Sequence, residues 1–104
     1  MVLYNVTVSI DDDVHEEWLS WMKEVHIPEV MATGKFTENR ICRILGFEEA
    51  GISYSIQYLS PDMEHYESYQ RDFAPELQRK HTVRYEGKFA AFRTVLDIVH
   101  EHKL

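Results

Sequence analysis

The sequence contains little of what disulfide-stapled and membrane-spanning proteins depend on. It has one cysteine, Cys42, and no CxxC pair, so an internal disulfide is excluded. No apolar run approaches the roughly 18 residues that a membrane-spanning helix requires, and we expect no membrane partner. The chain begins on a strand-like pattern and not on a signal-peptide pattern. These features predict a reduced, cytoplasmic setting.

Basic residues are also scarce. Eleven Lys and Arg stand against eighteen Asp and Glu, which gives a formal net charge of −7. A nucleic acid or an anionic membrane would need a basic patch, and the longest basic cluster, Arg79-Lys80-His81, is too short to form one. The sequence has no Gly-rich phosphate loop and no nucleophile elbow. What remains is an ordinary globular composition, 44% apolar and 28% charged, with a length that fits one domain over residues 1–104.

Hydrophobic periodicity predicts the element order strand, helix, strand, strand, helix, strand. Residues 2–10 alternate apolar with neutral polar side chains, which is typical of a strand with one buried face. The third strand, residues 52–59, carries no charge, and this indicates a central position in the sheet. The other expected elements are a helix at 14–26, a strand at 35–47, a hairpin turn at 48–51, a helix from Ser60 that Pro75 interrupts, a connection at 81–87 and a strand at 88–100.

This order matches the two βαβ halves of a ferredoxin-like fold. The chain also repeats a Pro-Glu-aliphatic core in His26-Ile-Pro-Glu-Val30 and Phe73-Ala-Pro-Glu-Leu77, each after a predicted strand. We therefore predict an α+β, ferredoxin-like βαββαβ domain. Its four-stranded antiparallel sheet should have the order 4-1-3-2, with both helices on one face.

Helix starts carry recognisable signals. Asp13 and Glu16 have the spacing of a capping box, and carboxylates suit a helix N-terminus. The three aspartates at 11–13 would also suit a metal site, but capping is the simpler interpretation. Ser60, shortly before Asp62, predicts a hydroxyl cap for the second helix.

The stretch from Trp18 to Val30 is the strongest candidate for a site. One helical face there carries both tryptophans and Met22, with His26 at its edge. Pro28 lacks an N–H and crowds the carbonyl four residues earlier, so we expect the helix to break at Ile27–Pro28. Such a break would leave polar groups beside a large aromatic surface.

Two interpretations of His26 stay open. It would serve as a general base, because histidine titrates near neutral pH, with Glu29 as its acid–base partner. It would equally serve as a structural residue that hydrogen-bonds a carbonyl freed by Pro28, with Glu29 as a helix-end cap. The ligand-binding candidates, all of which would also serve as core residues, are Trp18, Met22, His26, Tyr4, Tyr54 and Tyr58.

The six histidines do not form a metal-binding pattern. They are scattered, and His100-x-His102 lacks the cysteine or carboxylate spacing that would complete a site. Cys42 has no sequence partner that would activate it as a nucleophile. We therefore expect neither a metal nor another cofactor.

The second face of the predicted sheet is polar but uncharged. Its side chains are Asn5, Thr7, Ser9, Ser53, Ser55 and Gln57. A solvent-facing sheet would normally carry Lys and Glu, so this composition predicts a covered surface, and a second copy of the chain is the simplest partner. Arg93, with Arg40 or Arg43, is expected to border this face, where it would pair with acids across the interface or form an anion pocket.

Six short segments distributed over the chain form a recognisable set. They are Tyr4-Asn-Val-Thr-Val8, Trp18-Leu-Ser-Trp-Met-Lys23, His26-Ile-Pro-Glu-Val30, Thr33-Gly-Lys-Phe36, Tyr54-Ser-Ile-Gln-Tyr58 and Ala91-Phe-Arg-Thr94. In these segments the chain resembles a family of small bacterial proteins known as a domain of unknown function. The resemblance implies a ferredoxin-like monomer of the dimeric α/β-barrel type and no particular activity. A more distant similarity, through a helix-end His-x-Pro, is to dimeric α/β-barrel cyclases, isomerases and oxygenases.

Two function classes are consistent with these patterns. The first is a non-catalytic homodimeric module that binds a small hydrophobic molecule or a protein partner. We favour it because the sequence shows no complete catalytic constellation. The second is a cofactor-free enzyme on a small hydrophobic substrate, with His26 as general base and tyrosines as positioning groups.

Overall fold

Strands and helices alternate through the part of the chain that the computed structural model describes, residues 1–46 and 51–104. The elements are β1 (Val2–Ile10), α1 (His15–Trp21), a π-helical turn (Met22–His26), α2 (Ile27–Met31), β2 (Glu38–Arg43), β3 (Ile52–Ser60), α3 (Met63–Asp72), α4 (Ala74–Arg84) and β4 (Phe89–Asp97). Apart from Gly51, the predicted hairpin turn at 48–51 lies outside the described residues.

The four strands form one antiparallel sheet in the order β2-β3-β1-β4. β1 is central and pairs along its whole length with both neighbours, so that Val2 lies opposite Ser60 on one side and Asp97 on the other. β2 is the edge strand beyond β3. The predicted order 4-1-3-2 is confirmed, and the α+β ferredoxin-like fold class with it.

The sheet has a covered face, on which the helices pack, and an open face. Tyr4, Val8 and Ile10 of β1 are at most 3% exposed and belong to the core under the helices. Directly opposed residues of antiparallel strands share a face, so the register extends this division to the other strands. The open face carries Leu3, Asn5, Thr7 and Ser9 of β1, Glu38, Arg40 and Cys42 of β2, Ser53, Ser55, Gln57 and Leu59 of β3, and Ala90, Phe92, Thr94 and Leu96 of β4.

The side chains of β4 lie on the opposite faces of the sheet from those that the predicted position of Arg93 implies. Arg93 lies opposite Val6 and therefore on the covered side, whereas Phe92 is on the open face and 63% exposed. The prediction that Arg93 borders the open face is wrong, and by the same register Arg43 also lies on the covered side. Arg40 is on the open face, as expected. Both sides of this edge strand carry apolar residues, so alternation alone does not reveal which side the helices cover.

The first helical region does not break at Pro28. Helical backbone runs without interruption from His15 to Met31, and Ile27 keeps φ −60° and ψ −45°. In the π turn the N–H of Ile27 donates to the carbonyl of Met22, five residues back. This wider register replaces the α pattern just before the proline, which cannot donate and whose ring would crowd an α-helical carbonyl. The predicted break is wrong because a π turn accommodates the proline.

The second helical region is interrupted near Pro75, as predicted, and the interruption lies at Phe73 between α3 and α4. α4 continues to Arg84, so the predicted connection at 81–87 is wrong at its start. The buried residues of this helix recur at helical spacing: Ala74, Leu77, His81 and, at its end, Tyr85. Within the described ranges, no helix is long and apolar enough to cross a membrane.

Both predicted helix caps differ from the observed ones. The N-cap residue of α1 is Val14, and no described side chain caps this helix. The Asp13 carboxylate instead accepts a hydrogen bond from Lys88 Nζ at 2.8 Å. That bond holds the pKa of Asp13 below its usual value. At α3 the cap is Asp62 and not Ser60: the Asp62 carboxylate accepts from the backbone N–H of His65 at 2.8 Å.

An aromatic-rich core fills the space between the sheet and the helices. Trp18 is completely buried, and its ring centroid lies 5.3 Å from that of Tyr54. A second ring cluster joins Tyr4 to Phe36 and Tyr69, with Phe36 and Tyr69 in an edge contact at 4.8 Å. Because each large ring buries roughly 150–250 Å², such clusters dominate the burial that stabilises a small domain.

Candidate ligand cavity between the helices and the sheet

A small cavity of about 50 Å³ lies between the helices and the covered face of the sheet. Its apolar lining comes mainly from β1, β3 and β4, and its polar lining from the π turn, α4 and Arg93. The volume suits a few water molecules or one small polar group. It is below the several hundred Å³ typical of sites that enclose a drug-sized molecule.

The structure brings four of the seven predicted site residues to this cavity: Tyr4, Met22, His26 and Tyr58. Trp18 and Tyr54 do not line it; they pack on each other in the core. The Tyr54 hydroxyl is engaged with His15 Nε2 at 2.6 Å. Glu29 does not line the cavity either, because its carboxylate accepts a hydrogen bond from Lys80 Nζ at 3.0 Å on the surface.

The π turn positions His26 at the cavity. Its ring stacks on Trp21 with 5.2 Å between centroids and 26° between planes. Among the described residues, none forms a hydrogen bond with the His26 side chain, so the expected bond to a carbonyl freed by Pro28 is not observed. Burial lowers the pKa of His26 to about 4; the Glu29 carboxylate opposes this shift and Lys80 adds to it. At neutral pH the ring is therefore uncharged.

His81 on α4 is the second histidine of the cavity. Its Nε2 accepts a hydrogen bond from the indole Nε1–H of Trp18 at 2.9 Å, and its ring makes an edge contact with Phe89 at 4.5 Å. Indole nitrogen only donates, so His81 must carry its proton on Nδ1. Burial lowers the pKa of His81 to about 4, with His26 and Arg93 lowering it further. The protein thus fixes both the charge and the tautomer of this ring.

Arg93 supplies the charge of the cavity. Its Nε donates to the hydroxyl oxygen of Tyr4 at 3.1 Å. In the described ranges no carboxylate lies within ion-pair distance of Arg93, and no Asp or Glu lines the cavity. Burial raises the pKa of Tyr58 and Tyr69, so these two phenols that line the cavity stay protonated.

The chemistry available at the cavity is hydrogen bonding and attraction of negative charge. It offers uncharged imidazoles, phenols, an amide and one guanidinium. Within the described part of the chain, no group of three or more His, Cys, Asp or Glu side chains is arranged to hold a metal ion. The arrangement suits recognition of a small polar group.

Sequence reasoning missed His81 and placed Arg93 on the open face of the sheet. The signal for His81 was present, because Leu77, His81 and Tyr85 continue the helical spacing of the α4 stripe beyond residue 80. The role of Arg93 depends on the phase of β4, which pairing with β1 decides. The bond between Trp18 and His81 joins residues 63 positions apart, and no local pattern predicts it.

The model of a family described as domain of unknown function DUF4286 matches residues 1–99. The chain belongs to this family. The resemblance inferred from the sequence segments is thus confirmed, and DUF4286 carries no assigned activity. No curated protein matches the sequence.

Solved structures share the fold of this DUF4286 chain at low sequence identity. A dimeric ferredoxin-like protein from an uncultured marine organism is 14% identical with a TM-score of 0.72, covering 99% of this chain and 98% of that chain. A mutant of MhuD with two manganese protoporphyrin IX bound per active site is 10% identical with a TM-score of 0.70, covering 99% of each chain. Hydroxynitrile lyase from Passiflora edulis is 7% identical with a TM-score of 0.64, covering 96% and 97%. One fold hosts these different proteins, so the likeness indicates the architecture and no activity.

Proposed function

We propose that the protein is a homodimeric binding module, in which two copies meet through their open sheet faces and each helix–sheet cavity receives a small molecule. The composition of the open face carries the first part of this proposal. It has large apolar side chains without a cover in the described chain: Phe92 is 63% exposed and Leu96 is 45% exposed. Such side chains on a contiguous surface favour an interaction site.

The polar side chains of the open face support burial as well. Ser55 Oγ donates to Asn5 Oδ1 at 2.5 Å, Asn5 Nδ2 donates to Thr7 Oγ1 at 3.1 Å, and Gln57 Nε2 donates to Ser55 Oγ at 3.1 Å. Ser9 and Ser53 share a further hydroxyl bond at 2.8 Å. Because these groups bond to one another along the face, a partner can cover them with fewer donors and acceptors left unpaired.

The size of the face is adequate for association. Three strands of nine residues and one of six span roughly 520 Å² before side-chain relief is counted. A standard interface buries about 800 Å² on each partner. The similar marine protein is described as dimeric, which adds support from the fold.

Sedimentation equilibrium tests this part of the proposal. We expect a dimer at tens of micromolar, with a single mass of two chains. A monomer at that concentration, with no self-association as the concentration rises, would contradict it. The control is the same experiment in high salt, because an interface of neutral and apolar side chains should depend little on ionic strength.

The cavity supports the second part of the proposal. It combines an apolar wall with a few convergent polar groups, which is the usual composition of a small-molecule site. Its volume of about 50 Å³ limits the enclosed part of a ligand to a small head group. A nitrogen-15 NMR screen with small metabolites tests it through the Trp18 indole N–H, whose partner His81 lines the cavity. Absence of any saturable shift would contradict ligand binding.

A second candidate function is a cofactor-free enzyme with His26 as general base. The observation in its favour is that His26 lines the cavity as an uncharged ring with no hydrogen-bond partner among the described residues. Glu29 does not support an acid–base pair with it, since Lys80 holds that carboxylate. With a substrate from the screen, His26→Gln should lower kcat by about 10²–10⁴ without unfolding the protein. A smaller loss would exclude this role.

A further inference from the structure

The cavity proposed to bind a ligand is lined by one positively charged side chain and by neutral ones. As far as the chain is described, its polar lining contains hydrogen-bond donors and one cation but no carboxylate. This is unusual for a chain with eighteen acidic and eleven basic residues, whose surface carries ion pairs such as Arg71–Asp72, Arg79–Glu76 and Lys80–Glu29. The inference that follows rests on the proposed ligand-binding function and concerns the class of ligand.

Arg93 is the cation of the cavity, and its charge is not neutralised within the described chain. Arg71, Arg79 and Arg84 each pair with a carboxylate, whereas among the described residues Arg93 bonds to the phenol of Tyr4 alone, through Nε. Arg93 is exposed at the cavity, so both Nη groups face water and can exchange it for a ligand oxygen. A guanidinium presents a planar fork that matches the two oxygens of a carboxylate.

Tyr4 strengthens this arrangement. Its hydroxyl oxygen accepts from Arg93 Nε, so its own proton is available as a donor. The same bond orients the guanidinium from the central strand β1, because Tyr4 is 2% exposed and held by its ring contacts. This bond restrains one side of an otherwise exposed guanidinium, which reduces the entropy lost on binding.

His81 adds a donor of fixed direction. Trp18 occupies its Nε2, so the Nδ1–H points away from Trp18 and has no hydrogen-bond partner among the described residues. His81 is 8% exposed and lines the cavity. An oxygen acceptor on a ligand would satisfy this N–H, whereas a cationic or donor-only ligand would leave it unpaired.

We propose that the cavity binds a small organic acid, whose carboxylate pairs with Arg93 and Tyr4 while an acceptor oxygen takes the His81 Nδ1–H. The cavity volume fits an acid of a few heavy atoms, or the carboxylate end of a longer one. The apolar wall at Val6 and Phe89 contacts the hydrocarbon part of the acid. His26, uncharged and unbonded, supplies a further donor or acceptor to match the rest of the ligand.

The test compares acids with amides of the same shape. Acetate and propionate are titrated against acetamide and propionamide at constant ionic strength, and the indole N–H of Trp18 and the Nε–H of Arg93 are followed by NMR. We expect saturable shifts with the acids and at least about tenfold weaker binding of the amides, because charge-assisted bonds are about twice as strong as neutral ones. Equal binding of the amides would overturn the acid class while leaving ligand binding intact.

Three variants test whether the effect depends on Arg93. Arg93→Gln should weaken acetate binding about tenfold or more, and Arg93→Lys should restore part of it through the charge alone. Arg43→Gln removes the same charge from β2 at the opposite edge of the sheet and should change nothing. An Arg93→Gln protein that binds acetate like the wild type, or an equal loss in Arg43→Gln, would overturn the proposal. If neither acids nor amides bind, the ligand function falls as well, and sedimentation still decides dimerisation separately.

Discussion

The covered and open faces of the sheet consist of the same four strands, yet their side chains are satisfied in different ways. On the covered face, aromatic rings of the strands and helices pack on one another. Burial between the helices and this face lowers the pKa of His26 and His81, so both rings are uncharged at neutral pH. On the open face, short polar side chains bond to each other, and Phe92 and Leu96 remain exposed. Both faces are uncharged over much of their area. The difference is that helices cover one face, while nothing in the described chain covers the other.

This contrast predicts that substitutions on the two faces should have different effects, on stability for the covered face and on association for the open face. The covered face contributes the burial that stabilises the monomer, so changes there should alter the free energy of unfolding. The open face contributes little to the monomer beyond strand pairing. Changes there should alter association and leave the fold intact.

Among the substitutions, added charge on the open face should have the largest effect. Thr7 and Ser55 are directly opposed on β1 and β3, and both belong to the hydrogen-bonded group around Asn5. In the double variant Thr7→Glu, Ser55→Glu, unpaired carboxylates would be buried in the interface. We expect the dimer dissociation constant to rise by roughly 10³, equivalent to about 4 kcal/mol. Sedimentation equilibrium measures it.

The matched control is Ser20→Glu, which adds a carboxylate at an exposed position of α1. It should leave the dimer unchanged, and circular dichroism should show that all these proteins stay folded. If the double variant still associates like the wild type, the open face is not the interface.

Acid should destabilise the covered face. In the unfolded chain His26 and His81 titrate near about 6.5, and in the folded protein the pKa of each is lowered to about 4, mainly by burial. Between these values the unfolded chain binds protons that the folded protein does not. Stability is therefore complete above about pH 6.5 and falls as the pH drops toward about 4, by on the order of 3 kcal/mol for each ring.

Urea unfolding at about pH 7 and about pH 4.5 measures this loss. His26→Gln provides the comparison, because glutamine does not titrate and should remove about half of the pH dependence. A free energy of unfolding that is the same at both pH values would show that the imidazoles are not buried as described.

The hydrogen bond between Trp18 and His81 should have a smaller effect. Trp18→Phe removes the indole donor and leaves the His81 acceptor unpaired in the core, which should lower the free energy of unfolding by about 2 kcal/mol. Trp21→Phe is the control, since the Trp21 indole forms no side-chain hydrogen bond with a described residue. Its contacts there are those of its ring, with His26, His81, Tyr85 and the Arg84 guanidinium. The difference between the two variants in urea reports the bond. Equal losses would mean that ring size alone matters.

The smallest expected effect is that of His26→Gln on stability at neutral pH. His26 contributes ring stacking and no hydrogen bond to the described chain, so the loss should be at most about 1 kcal/mol. Thermal and urea unfolding of the variant measure it. A loss of several kcal/mol would show that His26 supports the π turn in a way that its contacts do not indicate.

The sequence predicted the elements and their arrangement well, because the signals involved are local. Alternation in β1 and β3 specified both strands, and the charge-free composition of β3 indicated its inner position. Four candidate site residues lie together at the cavity. Met22 and His26 are on one side of the first helical region, and Tyr4 and Tyr58 are opposed on the same face of the sheet. Periodicity reports which residues share a face, and that was sufficient for these elements.

Three features that form the cavity are determined only by the tertiary structure. The π turn depends on how the chain accommodates Pro28 while Met22 and Ile27 stay in the core, and a proline by itself predicts a break. The phase of β4 follows from its register with β1, because an edge strand with apolar residues on both sides has no preferred face of its own. The tautomer of His81 follows from a contact with Trp18. Local sequence specifies faces and turns, whereas long-range packing selects which faces meet and which polar groups are paired there.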